Sequence, residues 1–437
     1  MKRIYLFFLY LLGLSSLLAQ ETLSMSEAVG RGLNNNYQIQ IAALDQAVAS
    51  NNNDWGNAGR WPTLSFSLPG TFNRSQNPGS FLAGRQNVNG NLALDWVLFD
   101  GYAIQANKAR FALLEEQSAG NAAVIIENNV QAIVLAYQNV LLAEAQLSVL
   151  EEVLKSSKER QAYEAYRKEL GTGSSFELLQ FQTAVLTDST NVISQLLNVR
   201  NARRNLNLLM GDPADKVFLF SDSLATNYQM YDLAELEARM LESNNSLQNQ
   251  YLNQRLRAED TRLAKAALYP TVGINANANY SYGIVNLRNR DPDTQVEMPI
   301  IPNQVSAFDY TAGFTIRFNL YNGGNVKRQI ENAQLNQEIA LLQKDELALN
   351  LKNELAVQFD NYRARRELLA LQSENQRLAQ ANLDMATERF QNGLINSIDY
   401  RTIQLQYLNA QLGRLTALRD IKESETEIIR LIGGLIR

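Results

Sequence analysis

The stretch that decides the fold is residues 325–392, NVKRQIENAQLNQEIALLQKDELALNLKNELAVQFDNYRARRELLALQSENQRLAQANLDMATERFQN. It contains no proline and no glycine, and alanine, leucine, glutamine, glutamate, arginine and lysine predominate. These residues lose the least free energy on entering a helix. One helix of this length would extend about 100 Å, whereas helices of globular proteins average about 10–14 residues. The stretch therefore predicts a helical rod too long for a compact domain.

The rod has a twin, because the chain contains an internal repeat. At an offset of 222 positions, identical residues coincide from Leu98 to Gly433, and they fall on the starts and ends of the predicted elements. Upstream the offset is 208, so the second repeat carries 14 extra residues between Pro270 and Leu320. The matched positions are Leu98/Leu320, Gly101/Gly323, Leu113/Leu335, Asn139/Asn361, Arg167/Arg389, Gly171/Gly393, Gln182/Gln404, Leu186/Leu408, Leu209/Leu431 and Gly211/Gly433, and upstream Leu33/Leu241, Asn36/Asn244, Gln46/Gln254, Ala58/Ala266, Pro62/Pro270 and Thr63/Thr271.

Each repeat has the same predicted order of elements. A helix leads to an X-Pro dipeptide, which favours extended backbone, and two strands, a long helix, a glycine turn and a return helix follow. The chain therefore divides into a signal peptide at 1–20, a first repeat at 21–211, a linker at 212–232 and a second repeat at 233–437. The predicted elements are first helices at 26–59 and 233–268, strands at 62–72, 88–99, 271–282 and 308–321, long helices at 102–170 and 325–392, and return helices at 174–209 and 396–431.

The predicted strands alternate between apolar and polar residues. In the last strand, Tyr310, Phe314 and Ile316 share one face, opposite Thr315 and Arg317. Such alternation over ten or so residues suits a membrane strand that is apolar outside and polar inside, but a soluble sandwich strand alternates in the same way. Strand length and aromatic content favour the membrane barrel. Four strands are too few, since a barrel needs about eight, so either the chain oligomerises or it forms no barrel.

The N-terminus is typical of a secretory signal peptide. Lys2 and Arg3 precede an apolar run at 4–18, and Ala19 provides the small residue for cleavage. A transmembrane anchor is the alternative, although the run is short for one. No later segment has the roughly 18 apolar residues that a membrane-spanning helix needs. An exported chain of this kind is either soluble or a β-barrel.

Composition excludes several functional classes. The 437 residues include 46% hydrophobic and 19% charged positions, a net charge of −5, no cysteine and no histidine. Disulfides, thiolate or imidazole metal sites and Cys- or His-dependent nucleophiles are therefore excluded, and mild acidity without a basic cluster argues against nucleic-acid binding. We expect no enzymatic activity, no cofactor and no metal. The acidic pairs lack converging partners and are interpreted as solvated: Glu115 and Glu116, Glu151 and Glu152, Asp291 and Asp293.

Four motifs mark the junctions and turns of the two repeats. They are Leu98-Phe99-Asp100-Gly101, Leu320-Tyr321-Asn322-Gly323-Gly324, Tyr269-Pro270-Thr271 and Arg389-Phe390-Gln391-Asn392-Gly393-Leu394-Ile395-Asn396-Ser397-Ile398-Asp399. In their order, duplication and spacing they resemble the TolC family of outer-membrane efflux channels. The resemblance covers essentially the whole mature chain.

The resemblance implies a mixed all-α and β-barrel membrane protein. Three copies would form a homotrimer, in which four β-strands per chain contribute to a twelve-stranded barrel in outer-membrane lipid, and long antiparallel coiled-coil helices form an α-barrel across the periplasm. It implies a passive exit duct of a tripartite efflux or type I secretion system, conducting small molecules or proteins. The partners would be a periplasmic adaptor (membrane fusion) protein and an inner-membrane pump of the RND, ABC or MFS type.

The resemblance also assigns a role to the two glycine turns. Gly171-Thr172-Gly173 and Gly393-Leu394-Ile395 would lie at the periplasmic tip, where the adaptor docks. A glycine that ends a helix in the left-handed conformation is common in any tight hairpin. The docking role is therefore an expectation added to an ordinary structural one.

Asp399 matches the position at which these channels place a carboxylate in the periplasmic constriction. Three copies would bring three acids together in a ring that favours cations. The second carboxylate of the family pattern is replaced by Thr402, so we expect weaker cation affinity. An acid in a first helical turn is also favoured by the helix dipole alone, Asn396 has N-cap spacing, and Ser174 with Glu177 fits a capping box. The predicted gate residues are Asp399, Glu177 and Thr402.

Aromatic residues cluster at the helix–strand junctions. Trp61, Trp96 and Tyr269 could be ordinary core residues, but in a barrel they would form the periplasmic aromatic girdle. The junction residues that would mark the exit from the barrel are Phe99, Asp100, Gly101, Tyr321, Asn322, Gly323 and Gly324.

Two other functions fit parts of the pattern. A structural periplasmic coiled-coil protein would also use long helical hairpins, but it would lack alternating strands and would not reside in a membrane. An uptake porin would need no helices of about 100 Å. The leading prediction is an export duct of the outer membrane with a periplasmic extension.

Overall fold

The structure is a computed structural model, and it describes residues 21–74, 82–224, 229–287 and 299–435. The predicted signal peptide at 1–20 and the acidic pair Asp291 and Asp293 lie outside these described residues. The chain forms two compact units. We call Met1–Asp45, Ala119–Asn249 and Asp345–Arg437 the helical unit, and Gln46–Ser118 and Gln250–Lys344 the sheet unit.

Long helices dominate the described chain. The two predicted rods, 102–170 and 325–392, are helices of 67 residues each. In chain order the helices are α1 (Met25–Asn35), α2 (Tyr37–Asn52), α3 (Ala103–Glu169), α4 (Ser175–Met210), α5 (Leu233–Ser243), α6 (Asn245–Ala266), α7 (Asn325–Gln391) and α8 (Ser397–Leu431). The strands are β1 (Glu21–Leu23), β2 (Thr63–Ser67), β3 (Gly70–Arg74), β4 (Leu82–Phe99), β5 (Phe218–Phe220), β6 (Thr271–Leu287) and β7 (Ile301–Arg317).

The first helix of each repeat is interrupted, so the prediction of unbroken helices at 26–59 and 233–268 is wrong. Asn36 separates α1 from α2 and Asn244 separates α5 from α6, each with extended backbone angles. The Asn36 Oδ1 accepts a hydrogen bond from the Gln38 N–H at 2.8 Å, and the Asn244 Oδ1 accepts one from the Leu247 N–H at 3.0 Å. Each asparagine therefore starts a new helix as its cap. Helix propensity does not reveal this, because asparagine is only mildly unfavourable within a helix.

The same asparagines join each first helix pair to the end of a return helix. The Asn36 Nδ2 donates to the Leu209 carbonyl oxygen at 2.9 Å, and the Asn244 Nδ2 donates to the Leu431 carbonyl oxygen at 2.9 Å. Both members of these pairs coincide under the offsets of 208 and 222. The repeat is thus present in three dimensions as two equivalent hydrogen-bonded joints.

Two glycines close these joints. Gly211 and Gly433 have φ angles of 73° and 67°. A Cβ at Gly211 would lie 2.6 Å from the Asn35 carbonyl oxygen, and one at Gly433 would collide with the Ser243 carbonyl oxygen. Both obstacles are backbone atoms, which cannot move aside as the end of a flexible side chain could. The joints therefore require glycine both for the left-handed backbone conformation and because there is no room for a Cβ atom.

We expect the substitution Gly211→Ala to lower the free energy of unfolding by about 2–4 kcal/mol, because it combines a left-handed conformation with a backbone clash. Thermal unfolding in detergent, followed by circular dichroism, measures the loss. The matched control is Gly30→Ala in α1, where an added Cβ meets nothing within 4 Å. There the substitution should stabilise the helix slightly, by about 0.5–1 kcal/mol. Equal effects of the two variants would contradict the joint as described.

The helical unit contains a buried cluster at its small sheet. β1 pairs in parallel with β5, and Leu23 and Phe218 from these strands are fully buried. The Tyr137 hydroxyl lies 2.9 Å from the Leu23 carbonyl oxygen and 2.8 Å from the Asp222 Oδ2, and these two acceptors share its single proton. Burial raises the pKa of Tyr137, which favours the protonated hydroxyl that these contacts need. β5 lies within the predicted linker at 212–232, where a three-residue strand is too short to show periodicity.

The sheet unit contains an antiparallel sheet with the strand order β2-β4-β6-β7, and β3 also pairs with β4. β2 and β3 are two segments of the predicted strand at 62–72. Leu68-Pro69 separates them, because proline cannot donate to the ladder. The described chain therefore provides four strand positions. The outer sides of β2, β3 and β7 are free edges in the described sheet.

The strand ends differ from those predicted. β4 begins at Leu82 instead of 88, β6 ends at Leu287 instead of 282, and β7 spans Ile301–Arg317 instead of 308–321. The residues around Pro302 have the composition of a loop, so the sequence does not predict that β7 begins at Ile301. Pro302 nevertheless pairs with Asn286, because β7 is an edge strand, where a missing N–H is tolerated. Beyond Arg317 the chain leaves the sheet toward the glycine turn at 323–324.

One helix in the described ranges has the length and composition to cross a membrane, whereas the sequence predicts none. A window of α3 has a mean hydropathy of 1.4, and 39% of it is buried inside the protein. A single such helix is weak evidence, because core helices pass the same test. α3 contributes Ile133, Tyr137 and Val140 to the buried cluster around Leu23, and this packing explains its apolar residues.

Candidate functional site

The sheet has one apolar face and one polar face. Directly paired residues lie on the same face, so the register groups Trp96 with Ile274 and Phe314, and Asp95 with Asn275. The apolar face carries Leu64, Phe66, Leu92, Leu94, Trp96, Ile274, Ala276, Ala278, Tyr280, Phe308, Tyr310, Ala312, Phe314 and Ile316, and the polar face carries Thr63, Ser65, Asn87, Asn89, Asn91, Asp95, Asn275, Asn277, Asn279, Asp309, Thr311, Thr315 and Arg317.

The apolar face is open to its surroundings. The side chains of Tyr310 and Phe314 are 80% and 76% exposed. A soluble antiparallel sheet turns its apolar face to the core, and an apolar patch of this extent marks a contact with lipid or with another protein. The face has the chemistry of a lipid-facing wall, with the polar face left for water.

The polar face is balanced in charge. Among the residues of the described strands, Arg85, Asp95, Asp309 and Arg317 are its charged members, two acids and two bases. Amide and hydroxyl groups occupy most of the positions between them, and small residues such as Ala93 and Gly313 occupy others. A hollow of about 380 Å³ opens on this face between β4, β6 and β7, lined by Asp95, Asn275, Asn277, Thr315 and Arg317, among others. The wall can therefore hydrogen-bond hydrated solutes of either charge.

The first strand-to-helix junction is packed. Gly101 has a φ angle of 71°, and a Cβ on it would collide with the Ala266 carbonyl oxygen. The rings of Phe99, Tyr102 and Tyr269 follow one another edge to face, with centroids 5.4 Å and 5.9 Å apart. This junction therefore holds the end of the second repeat's first helix pair against the start of α3.

The second junction is open. Gly323 and Gly324 have φ angles of 66° and 73°, and a Cβ on Gly323 would meet nothing within 4 Å. Tyr321 and Asn322 are exposed. The Arg328 guanidinium donates to the Gly323 carbonyl oxygen at 3.1 Å and fixes the start of α7. The two junctions thus share backbone conformation but differ in packing.

Indole rings gather around Arg60. Its guanidinium lies over the Trp55 ring at 4.8 Å and over the Trp61 ring at 5.7 Å, and the Trp96 indole N–H donates to the Arg60 carbonyl oxygen at 3.0 Å. The structure therefore brings Trp61 and Trp96 together. Trp55 is absent from the predicted girdle, because it lies in the sequence before the junction motifs.

The predicted tip residues form the turns of two helical hairpins. Gly171 and Gly393 have φ angles of 72° and 71°. The Thr172 N–H donates to the Arg167 carbonyl oxygen at 2.9 Å, and the Leu394 N–H donates to the Arg389 carbonyl oxygen at 2.8 Å. These bonds close the helix ends in the Schellman manner. Thr172 and Leu394 are exposed, whereas Gly173 and Ile395 are half-buried.

A buried polar network near these turns was not predicted. The Arg401 guanidinium binds the Asp188 carboxylate through two bonds of 2.6 Å and 3.0 Å, and Asp188 is 2% exposed. The Ser157 hydroxyl donates to the Asp188 Oδ2 at 2.7 Å, and Arg401 also donates to the Gln404 Oε1 at 2.7 Å. These residues come from α3, α4 and α8, so the network ties both hairpins together. No local motif could reveal it, because the partners are far apart in sequence.

An aromatic cluster lies beside this network. Phe181, Phe390 and Tyr400 are buried together with Ala386, and the Phe390 and Tyr400 centroids are 5.1 Å apart. The Arg160 guanidinium lies over the Tyr400 ring at 5.1 Å. The hairpin ends therefore have a small core of their own.

A match to a known protein family agrees with this architecture of two repeats. The model of the outer membrane efflux protein family matches residues 28–212 and 237–434, which cover most of both repeats. The chain belongs to the outer membrane efflux protein family. This membership confirms the resemblance to TolC-type channels, and no curated protein matches the sequence.

Solved structures of other membrane proteins share the fold. A membrane protein from Pseudomonas aeruginosa is 16% identical and covers 95% of this chain and 91% of its own, with a TM-score of 0.76. The CmeC outer membrane channel of Campylobacter jejuni is 15% identical, covers 94% of this chain and 85% of its own, and has a TM-score of 0.74. The outer membrane protein VceC of Vibrio cholerae is 15% identical, and the match covers 94% of this chain and 96% of VceC, with a TM-score of 0.70.

Membership of the outer membrane efflux protein family establishes the general function. The protein is an efflux channel of the outer membrane with a periplasmic extension, built from long helices and barrel-type strands, as predicted. Channels of this family are trimeric and work with adaptor and pump proteins. They are channels rather than enzymes. In the ranges that the structure describes, no three His, Cys, Asp or Glu residues converge as metal ligands.

Two of the predicted gate residues of this efflux protein, Glu177 and Asp399, lie in the first turns of the return helices, and Thr402 lies three residues beyond Asp399 in α8. The Asn396 Oδ1 accepts from the Asp399 N–H at 2.9 Å, so Asn396 is the cap and Asp399 an exposed acid in the first turn of α8. The Thr402 hydroxyl donates to the Ile398 carbonyl oxygen at 2.9 Å. Ser174 caps α4 by accepting from the Phe176 N–H at 3.1 Å rather than from Glu177, so the predicted reciprocal capping box is wrong.

Proposed function

We propose that three copies of the chain assemble around one axis and together enclose the exit path. The observation that carries this proposal is a sheet with an exposed apolar face and two free edges. Free edges invite pairing with another chain, and a membrane barrel must close because lipid offers no hydrogen bonds. Four strand positions per chain in three copies give twelve strands, which is above the minimum of about eight.

The finer role is an exit duct of a tripartite efflux or type I secretion system. A periplasmic adaptor and an inner-membrane pump of the RND, ABC or MFS type hand over small molecules or proteins, and the duct conducts them passively. The charge-balanced polar face of the sheet supports passive conduction of varied solutes. The pump would select the cargo, and the chain's own residues do not indicate it.

The adaptor is proposed to dock at the hairpin turns formed by Gly171, Thr172, Gly173, Gly393, Leu394 and Ile395. Exposed apolar side chains at and beside both turns support this assignment. Leu170 and Phe176 flank the first turn, and Leu394 and Ile398 flank the second. Exposed apolar residues that are concentrated at one feature mark an interaction surface. The expected partner therefore presents a complementary apolar surface.

The gate is proposed to involve Asp399 in the first turn of α8, together with Thr402 three residues further along α8 and Glu177 in the first turn of α4. We expect Asp399→Asn to weaken block by a multivalent cation by about two- to tenfold, because three charges around one axis would be lost. Single-channel recordings in planar bilayers measure the block. The control is Asn396→Ala, which removes the helix cap at a stability cost of about 1 kcal/mol but keeps the charge. Equal loss of block in both variants would assign Asp399 a purely structural role.

Membrane fractionation with mass determination tests the assembly. The protein should be recovered from the outer membrane, and native mass spectrometry in detergent should give a three-chain species. Recovery as a soluble monomer would instead favour a structural periplasmic coiled-coil protein. A monomeric membrane protein that takes up solutes would favour a porin.

A further inference from the structure

The hollow of about 380 Å³ on the polar face of the sheet is lined by both an acid and a base. Asp95 lines it from β4 and Arg317 lines it from β7, with β6 between them. Both side chains are exposed. Within the part of the chain that the structure describes, neither forms a salt bridge. The hollow therefore presents one carboxylate and one guanidinium to a solute.

The hollow lies over Gly273, which has no side chain to fill it. Gly273 pairs with Val97 on β4 and with Thr315 on β7. Asp95 and Arg317 lie two residues from these partners, in opposite directions along the strands, so they are diagonal neighbours of Gly273 on the same face. A side chain at this position would stand between the acid and the base. The glycine thus keeps the space between the two charges open.

The two charges are too far apart to neutralise each other. Asp95 lies opposite Asn275 and Arg317 lies opposite Thr271, which places their Cα atoms roughly 17 Å apart across the sheet. A salt bridge requires the charged atoms to be within about 4 Å of each other. Between them, the Thr315 hydroxyl donates to the Asn275 Oδ1 at 3.4 Å. The gap is therefore polar, and a solute that carries both charges can span it.

The internal repeat places these opposite charges at one equivalent position. Arg317 is the equivalent of Asp95 at the 222 offset. Asp95 pairs with Thr63 and Arg317 pairs with Thr271, and the two threonines coincide at the 208 offset. The positions are thus equivalent in sequence and in strand pairing, whereas their charge is reversed. This reversal gives each chain one acid and one base around the same hollow.

We propose that this hollow binds small zwitterionic solutes whose amine and carboxylate are several ångströms apart, such as short peptides. The solute ammonium group contacts the Asp95 carboxylate, and the Arg317 guanidinium holds the solute carboxylate through two parallel hydrogen bonds. Asn275 and Thr315 hydrogen-bond the part of the solute between the charges. The inference rests on the proposed function, because solutes reach the hollow from the exit path, and it names a class of solute that the path retains.

Binding at this site is weak, because both charged side chains are exposed and solvent screens them. Weak binding suits a duct, since a solute must be able to leave a site on its path as well as enter it. The hollow therefore delays zwitterionic solutes on the wall without stopping them.

Saturation-transfer NMR on the whole protein in detergent tests the site, with 6-aminohexanoate as the probe. Saturation should reach the methylene protons of this zwitterion. N-acetyl-6-aminohexanoate lacks the positive charge and 6-aminohexanamide lacks the negative charge, so each should bind about three- to tenfold more weakly. Equal affinity for the three compounds would overturn the proposal.

Charge variants test the two residues. Asp95→Asn and Arg317→Gln should each lower the affinity for 6-aminohexanoate by about three- to tenfold. The matched controls, Asp309→Asn and Arg85→Gln, remove the same charges elsewhere on the polar face and should leave the affinity unchanged. The charge-swapped variant Asp95→Arg/Arg317→Asp should recover binding, because the probe can bind in the reverse orientation. A swapped variant that binds no better than the single variants would refute the assignment.

Filling the hollow tests its shape without changing any charge. A Cβ on Gly273 would meet one atom within 4 Å, the Trp96 carbonyl oxygen at 3.3 Å, so a small shift accommodates it. Gly273→Val should weaken probe binding as much as the loss of one charge. Ala307→Val, on the polar face of β7 outside the hollow, should bind the probe normally. Circular dichroism checks that both variants fold, and equal binding by the two would contradict the site.

Native mass spectrometry of the same samples separates this inference from the proposed assembly. Every residue of the site belongs to one chain, so absence of probe binding overturns the site whether the species is a trimer or a monomer. Probe binding by a monomer would support the site and contradict the proposed trimer.

Discussion

Replacing Arg401 by alanine is expected to lower the free energy of unfolding by about 3–5 kcal/mol. The Asp188 carboxylate is 2% exposed, and its ion-pair partner, the Arg401 guanidinium, donates to both of its oxygens, at 2.6 Å and 3.0 Å. Removing one partner of a buried ion pair leaves the other charge without compensation in a medium of low polarity. Ser157 and Gln404 would also lose their common partner. Denaturant unfolding in detergent, followed by circular dichroism, measures the loss.

Two control variants separate the charge effect from a packing effect. Replacing both charges by apolar residues of similar size, in Asp188→Leu/Arg401→Met, should recover most of the stability, because no charge is then buried. The exposed pair Glu374 and Arg377 on α7 has similar geometry at 2.7 Å, yet Arg377→Ala should have no measurable effect because solvent screens it. If Arg401→Ala unfolds like the wild type, the network does not hold the hairpins together.

Replacing Phe314 by arginine is expected to abolish recovery of the protein from the outer membrane. Phe314 lies on the apolar face and is 76% exposed. An arginine on the lipid side of a barrel costs about 2–4 kcal/mol near the bilayer midplane, and three copies would triple that cost. Immunoblots of separated membranes measure the amount that is inserted.

The neighbouring position provides the matched control. Thr315 pairs with Gly273 on the polar face of the same strand. Because successive side chains of a strand point to opposite sides, an arginine at Thr315 would face water. The Thr315→Arg variant should therefore insert normally. Loss of both variants, or of neither, would contradict the assignment of the two faces.

The large features of the fold follow from the sequence because each depends on local residue order. The rods follow from helix formers without breakers, and the strands follow from period-two alternation. The offset of 208 also matches Asn36 with Asn244. The sequence alone does not show, however, that these two residues interrupt helices. Helix breaks of this kind depend on a distant carbonyl group, such as that of Leu209, and propensity contains no such information.

The site is only partly predictable for the same reason. The glycine turns and caps near 171 and 393 are local, so motifs reveal them. The contact between Arg401 and Asp188 depends on how α4 and α8 pack, and neither residue stands out among the other charges of the chain. The different environments of Gly101 and Gly323 likewise appear only in three dimensions, because the two sequence motifs are nearly the same. Roles in docking and gating remain predictions.

The measurement that tests the central claim most directly is the single-channel conductance of cysteine variants before and after reaction with a charged thiol reagent. The claim is that the polar face of the sheet lines the water-filled path. Asn277 lies on that face and Ala276, the adjacent residue, lies on the opposite face. A charged thiol reagent should lower the conductance of Asn277→Cys channels and leave Ala276→Cys channels unchanged. Equal sensitivity, or block of the Ala276→Cys channels alone, would contradict the account.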